Sequence, residues 1–265
     1  MYSPVQLAAR YARYYLAASN GKGHGMHSPF VFEFITQVMN DDRQFYAYRQ
    51  IENLRELLLL NRQELLIEDF GAGSRVKKNN TRKVTDIARS SLKSKKFGQL
   101  LFRIVDHYAP KQVLELGTSL GITTAYLASA NSNTRVVTME GASSVASVAR
   151  NNFDKLELRN IELVEGNFDE TLTATLQRMG RIDMAFIDGN HRYEPTIRYF
   201  RELMPNLHEC SILIFDDIHW SREMEQAWQE ISQDDAVTLS IDLFFIGLVF
   251  FRKEQKVKQH FTIRF

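Results

Sequence analysis

Residues 98–265 of this chain read as a doubly wound α/β domain built on a mostly parallel sheet. Apolar runs at residues 113–116, 135–139, 161–164, 184–187 and 212–215 alternate with helical segments at 123–130, 143–153, 170–179 and 194–203. Runs this short and this apolar suit strands buried on both faces, and strands joined through helices run parallel. The alternation then stops. Residues 237–245 and 248–252 read as two strands with little more than Gly247 between them, and strands so closely joined are antiparallel. The expectation is a Rossmann-like, seven-stranded sheet whose last strand is antiparallel.

Residues 1–97 read as a helical extension. Apolar and aromatic residues recur at helical spacing over 5–18, where Tyr11, Tyr14 and Tyr15 form a stripe suited to packing. Gly21-Lys-Gly-His-Gly25 interrupts the pattern, and Ser28 before Pro29 caps a second helix that runs to about 39. A third helix is expected over 46–66. Glu68-Asp-Phe-Gly-Ala-Gly-Ser74 resembles a cofactor loop, but no helix and second strand follow it. Segment 71–83 therefore reads as a flexible basic connection, with a lid as the alternative. Helices over 84–94 and 98–108 follow, and Pro110 ends the latter.

Composition narrows the classes. Hydrophobic residues make up 44% of 265, enough for a well-buried core. The net charge of +1 argues against a general nucleic-acid binder. The charge is uneven, however: residues 75–96 hold nine cations against Asp86 alone. That stretch is either a solvated face or a cover over an anionic substrate. Cys210, the single cysteine, allows no internal disulfide and sits before an apolar run, so it reads as a small buried hydrophobe in a reducing compartment. No leader segment is read at the start, and the longest apolar run, 243–251, is too short to span a bilayer. A cytoplasmic protein without a membrane partner is expected.

Ligands of doubly wound sheets bind beyond the C-terminal ends of the strands. The residues leaving each strand are therefore the candidates. Leu114-Glu-Leu-Gly-Thr-Ser-Leu-Gly121 joins an apolar strand to a helix through two glycines, as a cofactor loop does. Glu140 ends the next strand, where a carboxylate can accept both hydroxyls of a ribose. Phe168 follows the third strand and could flank an adenine. Asp188 follows the fourth, and Asp216 and Asp217 follow the fifth. Three carboxylates at one sheet edge would repel one another unless a hard cation, Mg²⁺, Mn²⁺ or Ca²⁺, holds them. The alternative gives one aspartate to a helix cap and another to the cofactor. His191 stands where a general base would meet a hydroxyl, and His219 is a weaker candidate for base or ligand. Tyr193 and Trp220 read as pocket walls.

Over residues 99–251 these segments resemble the class I S-adenosylmethionine-dependent methyltransferases, and within them the metal-dependent O-methyltransferases related to catechol O-methyltransferase. Leu114-Glu-Leu-Gly-Thr-Ser-Leu-Gly-Ile-Thr123, Val137-Thr-Met-Glu140, Gly166-Asn-Phe-Asp169, Phe186-Ile-Asp-Gly-Asn-His-Arg-Tyr193 and Ile214-Phe-Asp-Asp217 carry the likeness. An Asp-Gly-x-His-x-Tyr segment also occurs in bacterial sugar and macrolide O-methyltransferases. The resemblance implies S-adenosylmethionine contacts from Glu115, Gly117, Thr118, Gly121, Thr123, Glu140, Gly141, Phe168, Asp169 and Asp188. It implies a metal, Mg²⁺ above all, on Asp188, Asp216 and Asp217, with Asp188 and His191 catalytic. His191 takes the place of a lysine base in the catechol enzymes, and Asp217 that of an asparagine.

The expected function is methylation of a hydroxyl on a small molecule. Nucleic-acid or protein methylation, favoured by the basic stretch, is one alternative, and a cofactor-binding protein without turnover is another. The absence of G-x-G-x-x-G after the first strand opposes a dehydrogenase. The N-terminal helices would cover the substrate or build a homodimer.

Overall fold

The computed structural model describes residues 1–68 and 79–265. The glycine-rich segment ending at Ser74 and the first part of the basic connection fall outside them. In chain order the elements are α1 (Pro4–Ala17), α2 (Pro29–Glu33) running into a π-helical turn (Phe34–Met39), α3 (Tyr46–Leu60), β1 (Glu64–Glu68), β2 (Asn79–Lys83), α4 (Val84–Ser91) and α5 (Lys95–Tyr108). The alternating part follows as β3 (Gln112–Leu116), α6 (Ile122–Ala130), β4 (Arg135–Glu140), α7 (Ser143–Lys155), β5 (Ile161–Glu165), α8 (Phe168–Met179), β6 (Met184–Ile187), α9 (Tyr193–Leu203) and β7 (Ile212–Asp216). Helix α10 (Arg222–Gln233) and strands β8 (Leu239–Asp242), β9 (Ile246–Phe250) and β10 (Gln259–Thr262) complete it.

Among the described residues, β3 to β10 form an eight-stranded sheet of order β10-β8-β9-β7-β6-β3-β4-β5. As expected, the seventh of these strands in chain order, β9, is antiparallel to its neighbours β7 and β8. The expected count of seven is one short: β10 extends the edge in parallel with β8. Its sequence, Gln259-His-Phe-Thr262, is half-exposed and carries one strongly apolar residue, too weak a pattern to read as a strand. The chain divides into two compact units, residues 41–178 and residues 1–40 with 179–265, and neither is cut at residue 97.

In the unit 41–178, β4 lies between β3 and β5 in parallel register, and α3 to α7 share one apolar cluster. Helix α3 stops at Leu60 rather than continuing to 66. Asn61 turns extended, its side-chain oxygen accepts the Gln63 N–H at 2.9 Å, and its carbonyl accepts the Thr85 N–H at 2.9 Å. That exit aims 64–68 into an antiparallel ladder with 79–83, so part of the connection read as flexible is a strand. Asparagine competes in this way with helical hydrogen bonds. Helix α4 ends at Ser91 rather than at 94, and α5 closes on Ala109 in the left-handed region, one residue before Pro110. Tyr126 of α6 packs flat against Gly98 of α5, and its hydroxyl donates to Glu52 of α3 at 2.6 Å.

In the unit formed by 1–40 and 179–265, the aromatic stripe of α1 packs as expected: Tyr11 and Tyr14 lie 5.0 and 5.2 Å from the Phe244 ring. Arg10 and Tyr2 bind the Glu225 carboxylate on α10 at 2.6 and 2.7 Å. Cys210 is exposed, not buried as expected. It belongs to the turn before β7, where its N–H donates to His208 Nδ1 at 3.1 Å, and the apolar run begins only after it.

Gly247 of β9 lies under the Trp228 ring, where a Cβ would stand 2.6 Å from ring carbon. Gly247→Ala should therefore cost about 1–3 kcal/mol through overpacking. Urea unfolding would check this, and a loss below about 0.5 kcal/mol would mean that α10 can shift.

Candidate active site

The turn from β3 to α6 is held from below by a buried carboxylate. Glu115 is fully buried, and one of its oxygens accepts the Thr124 hydroxyl and, at 2.6 Å, the Thr138 hydroxyl. Thr138 spends its proton there, so the Thr118 hydroxyl, 2.6 Å away, must donate to Thr138. The chain Thr118–Thr138–Glu115–Thr124 ties β3, β4 and α6 together. The N–H groups of Gly117 and Thr118 both donate to the Met139 carbonyl at 3.0 Å.

Above this network the turn runs through left-handed backbone. Gly117, Ser119 and Gly121 all have positive φ, at 105°, 48° and 82°. A serine seldom adopts that conformation, and such strain concentrates at functional sites. Glu140 fixes the turn: its carboxylate accepts the Ser119 N–H at 2.8 Å and the Ala142 N–H at 3.0 Å. Burial raises the Glu140 pKa, and backbone N–H donors from Ala142, Ser119 and Gly141 hold part of that rise back. The Ser119 hydroxyl oxygen is buried with no hydrogen-bond partner among the described residues. From the other side Asn152 donates to the Leu120 carbonyl at 2.9 Å. Thr123 is buried in the first turn of α6. Phe168 and Asp169 open α8, where the Asp169 N–H donates to the Asn167 side chain.

The second cluster belongs to the other unit. Asp188 follows β6 and Asp216 ends β7, two strands in parallel register. Ligand atoms of Asp188, His191 and Asp216 all lie within 4.8 Å of one another. His191 Nε2 is 3.2 Å from Asp188 Oδ1. Burial opposes the charged imidazole, but the Asp188 hydrogen bond and the charges of Asp188, Asp216 and Asp217 outweigh it and raise its pKa to about 9. Asn190 and His191 have φ of 64° and 29°, so the loop that presents the imidazole is strained as well.

Asp217 is not part of that close group. Its φ is 52° and its N–H donates to the Phe245 carbonyl at 2.7 Å, which directs the backbone toward the loop before β9. His219 is locked in place: its ring nitrogens contact Glu225 at 3.2 Å and Asp242 at 2.8 Å, and the ring stacks on Phe244. Tyr193 donates its hydroxyl to Glu230, so it links α9 to α10. Sequence reasoning overlooked Ser119, Thr124, Thr138 and Asn152. Thr138 alone left a clear signal, as a hydroxyl in the middle of an apolar strand.

Thr138→Val keeps the shape and removes a donor from Glu115, and should cost about 1–3 kcal/mol in urea unfolding. Equal stability would mean that the Thr138 hydroxyl adds nothing to the support of Glu115. In protein free of added metal, the His191 ring protons should titrate by NMR near pH 9. Its folded pKa lies above the unfolded 6.5, so its stabilising contribution is complete below about 6.5 and is lost as pH rises through about 9. A midpoint at or below 6.5 would refute the geometry of the cluster.

Residues 114–218 match a family model described as a methyltransferase domain. A curated relative from Rattus norvegicus, "Transmembrane O-methyltransferase homolog", is 32% identical over 114 residues, 40% of this chain and 41% of its own length. The chain thus spans about two fifths of the length of that relative, and the Mus musculus protein of the same name gives the same figures. Among described residues, no helix of this chain is long and apolar enough to cross a membrane. The crystal structure of an SAH-bound methyltransferase from Podospora anserina aligns with a TM-score of 0.60 at 14% identity, covering 96% of this chain and 98% of the other. An O-methyltransferase from Bacillus cereus in complex with SAH aligns with a TM-score of 0.56 at 17% identity, covering 83% and 97%. An O-methyltransferase from Streptomyces achromogenes in complex with SAM aligns at 0.52 and 20%, covering 61% and 82%. Residues 114–218 thus match a methyltransferase domain, and the chain shares its fold with these SAH- and SAM-bound methyltransferases.

Proposed function

We propose that this protein transfers a methyl group from S-adenosylmethionine to a hydroxyl oxygen of a small molecule, with a divalent cation bound beside the acceptor. The observation that carries this reading is the convergence of Asp188, His191 and Asp216 at the ends of β6 and β7. S-Adenosylmethionine would supply an electrophilic methyl on a positively charged sulfur. The β3–α6 turn suits such a ligand. The buried Ser119 hydroxyl lacks a partner among the described residues, and the Glu140 carboxylate keeps acceptor capacity beyond the backbone N–H groups it already receives. Glu140 would accept the two ribose hydroxyls. Gly117, Gly121 and Gly141 would admit the ligand close to the backbone, with Thr118 as a support from beneath and Thr123 near the amino-acid end. Phe168 and Asp169 would border the adenine. Glu115 sits one layer below and would act by holding the turn.

The donor set suits a hard cation. Two carboxylates close together favour Mg²⁺ or Mn²⁺, with Ca²⁺ a third choice, and the imidazole tilts the balance toward Mn²⁺. Asp188 and Asp216 would hold the ion, joined by Asp217 or by His191. A bound cation would lower the pKa of an acceptor hydroxyl. Beside the charge of that cation the His191 imidazole would be pushed back to its neutral form and would then take the hydroxyl proton, and Asp188, 3.2 Å from its Nε2, would orient the ring. The oxygen would then attack the methyl carbon as the bond to sulfur breaks. Most of the acceleration would come from alignment and exclusion of water. A small acceptor is favoured over a macromolecule by the near-neutral net charge, and a cytoplasmic setting by the single cysteine.

Calorimetric titration with S-adenosylmethionine, with and without Mg²⁺, tests both halves. Glu140→Ala should weaken cofactor binding by about 1–3 kcal/mol through loss of charge-assisted hydrogen bonds. Unchanged affinity would remove Glu140 from the ribose. Asp216→Asn should abolish Mg²⁺ binding and methyl transfer to a panel of catechols and hydroxylated sugars while leaving cofactor affinity within about threefold. Full activity of that variant in the presence of a chelator would end the metal-assisted reading.

A further inference from the structure

Within the unit 41–178, the end of α3, the β1–β2 hairpin and α4 build a cationic cleft that shares no residue with the proposed methyl-transfer site. It encloses about 360 Å³ and is lined by Leu60, Arg62, Lys83, Asp86 and Arg89, with Leu59 and Thr85. All three cations are exposed, and none makes an ion pair with a described residue. Asp86 is the lone acid in the lining, so the cleft is cationic on balance. Arg82 adds a further positive charge next door, hydrogen-bonded to Ser90 at 3.0 Å, while Glu64, opposite Lys83 in the ladder, offsets part of it.

Around this cleft the surface is apolar in an unusual way. Leu57, Leu60 and Leu66 are 62%, 78% and 54% exposed. Leu57 and Leu60 stand one helical turn apart on the same face of α3. Leu66 shares a face of the hairpin with Lys83, because Glu64 pairs with Lys83 and residues two apart on a strand point the same way. Large exposed aliphatic groups beside an excess of cations form an amphipathic rim, in which the leucines gain by leaving water and the cations gain from phosphate.

We propose that this face docks the protein on an anionic lipid bilayer, with Arg62, Lys83 and Arg89 on lipid phosphates and Leu57, Leu60 and Leu66 in the interfacial layer. The charge pattern selects an anionic partner, and the leucines select a bilayer over a nucleic acid. Single-stranded nucleic acid would call for aromatic platforms, and the described residues that line this cleft include none. Docking of this kind needs no spanning helix. It departs from the expectation of a protein without a membrane partner, and it is independent of the methyl-transfer reading.

Flotation with vesicles of phosphatidylcholine alone, and of phosphatidylcholine with phosphatidylglycerol, tests it. The native chain should float with the mixed vesicles, stay behind with the neutral ones, and release as salt is raised. The triple variant Arg62→Glu, Lys83→Glu, Arg89→Glu should lose partitioning on the order of a hundredfold. Leu57→Ser with Leu60→Ser should weaken it about tenfold or more while leaving the salt dependence in place. All five side chains are exposed, so circular dichroism should report an unchanged fold, and cofactor affinity by calorimetry should stay native. Arg252→Glu with Lys253→Glu, on the other unit, should float like the native chain. Equal flotation of the triple variant, or binding of single-stranded RNA without any flotation, would overturn the proposal.

Discussion

A carboxylate removed from water must be given donors or a counter-charge, and much of this molecule is arranged around that requirement. Glu115 is fully buried and is met by two threonine hydroxyls. Glu140 is met by backbone N–H groups of the loop it shapes. Asp216 is 1% exposed and shares its corner with Asp188 and a histidine driven toward the charged form. Glu225 and Asp242 hold His219 between them, with Arg10 and Tyr2 on the far side of Glu225. Each acid satisfied from within its own unit is a fixed strut. At the corner of Asp188 and Asp216 that partner is the His191 imidazole.

The strained backbone follows the same geography. Ser119 lies just past β3, Asn190 and His191 past β6, and Asp217 past β7, all with positive φ. These are C-terminal ends of strands, where a doubly wound fold presents its ligands. Left-handed backbone at non-glycine residues survives only where neighbours over-determine it. Here the neighbours are identifiable: the Glu140 carboxylate receives the Ser119 N–H, the Phe245 carbonyl receives the Asp217 N–H, and Gly189 receives the His191 N–H.

The helices outside the alternating pattern divide their work between the two units. Helix α1 is fastened to the later part of the chain by the Arg10 and Tyr2 contacts with Glu225 and by the Tyr11 and Tyr14 packing on Phe244. Helix α3 is fastened to α6 through Glu52 and Tyr126. Residues 1–40 thus belong to one compact unit and residues 41–97 to the other. The leucine-rich end of α3 and the hairpin beyond it stay at the surface, where a second partner can reach them.

Periodicity alone determined the alternating core, because strands buried on both faces and helices facing them leave unmistakable apolar spacing. It also located Glu140, Asp188, His191 and Asp216 at strand ends, since strand-end position follows from where each run stops. It could not see β10, whose edge position asks for little apolar content, nor the exit of α3 at Asn61, where the carbonyl is satisfied by Thr85, a residue 24 positions later. It could not separate Asp216 from Asp217, because the end of β7 at Asp216 and the positive φ that redirects the backbone at Asp217 are set by the tertiary structure. It ranked His191 above His219 from loop position, but it could not show their surroundings, an acidic corner for one and two structural carboxylates for the other. Side-chain chemistry is written in the chain, whereas the partner each polar group finds is decided by long-range packing.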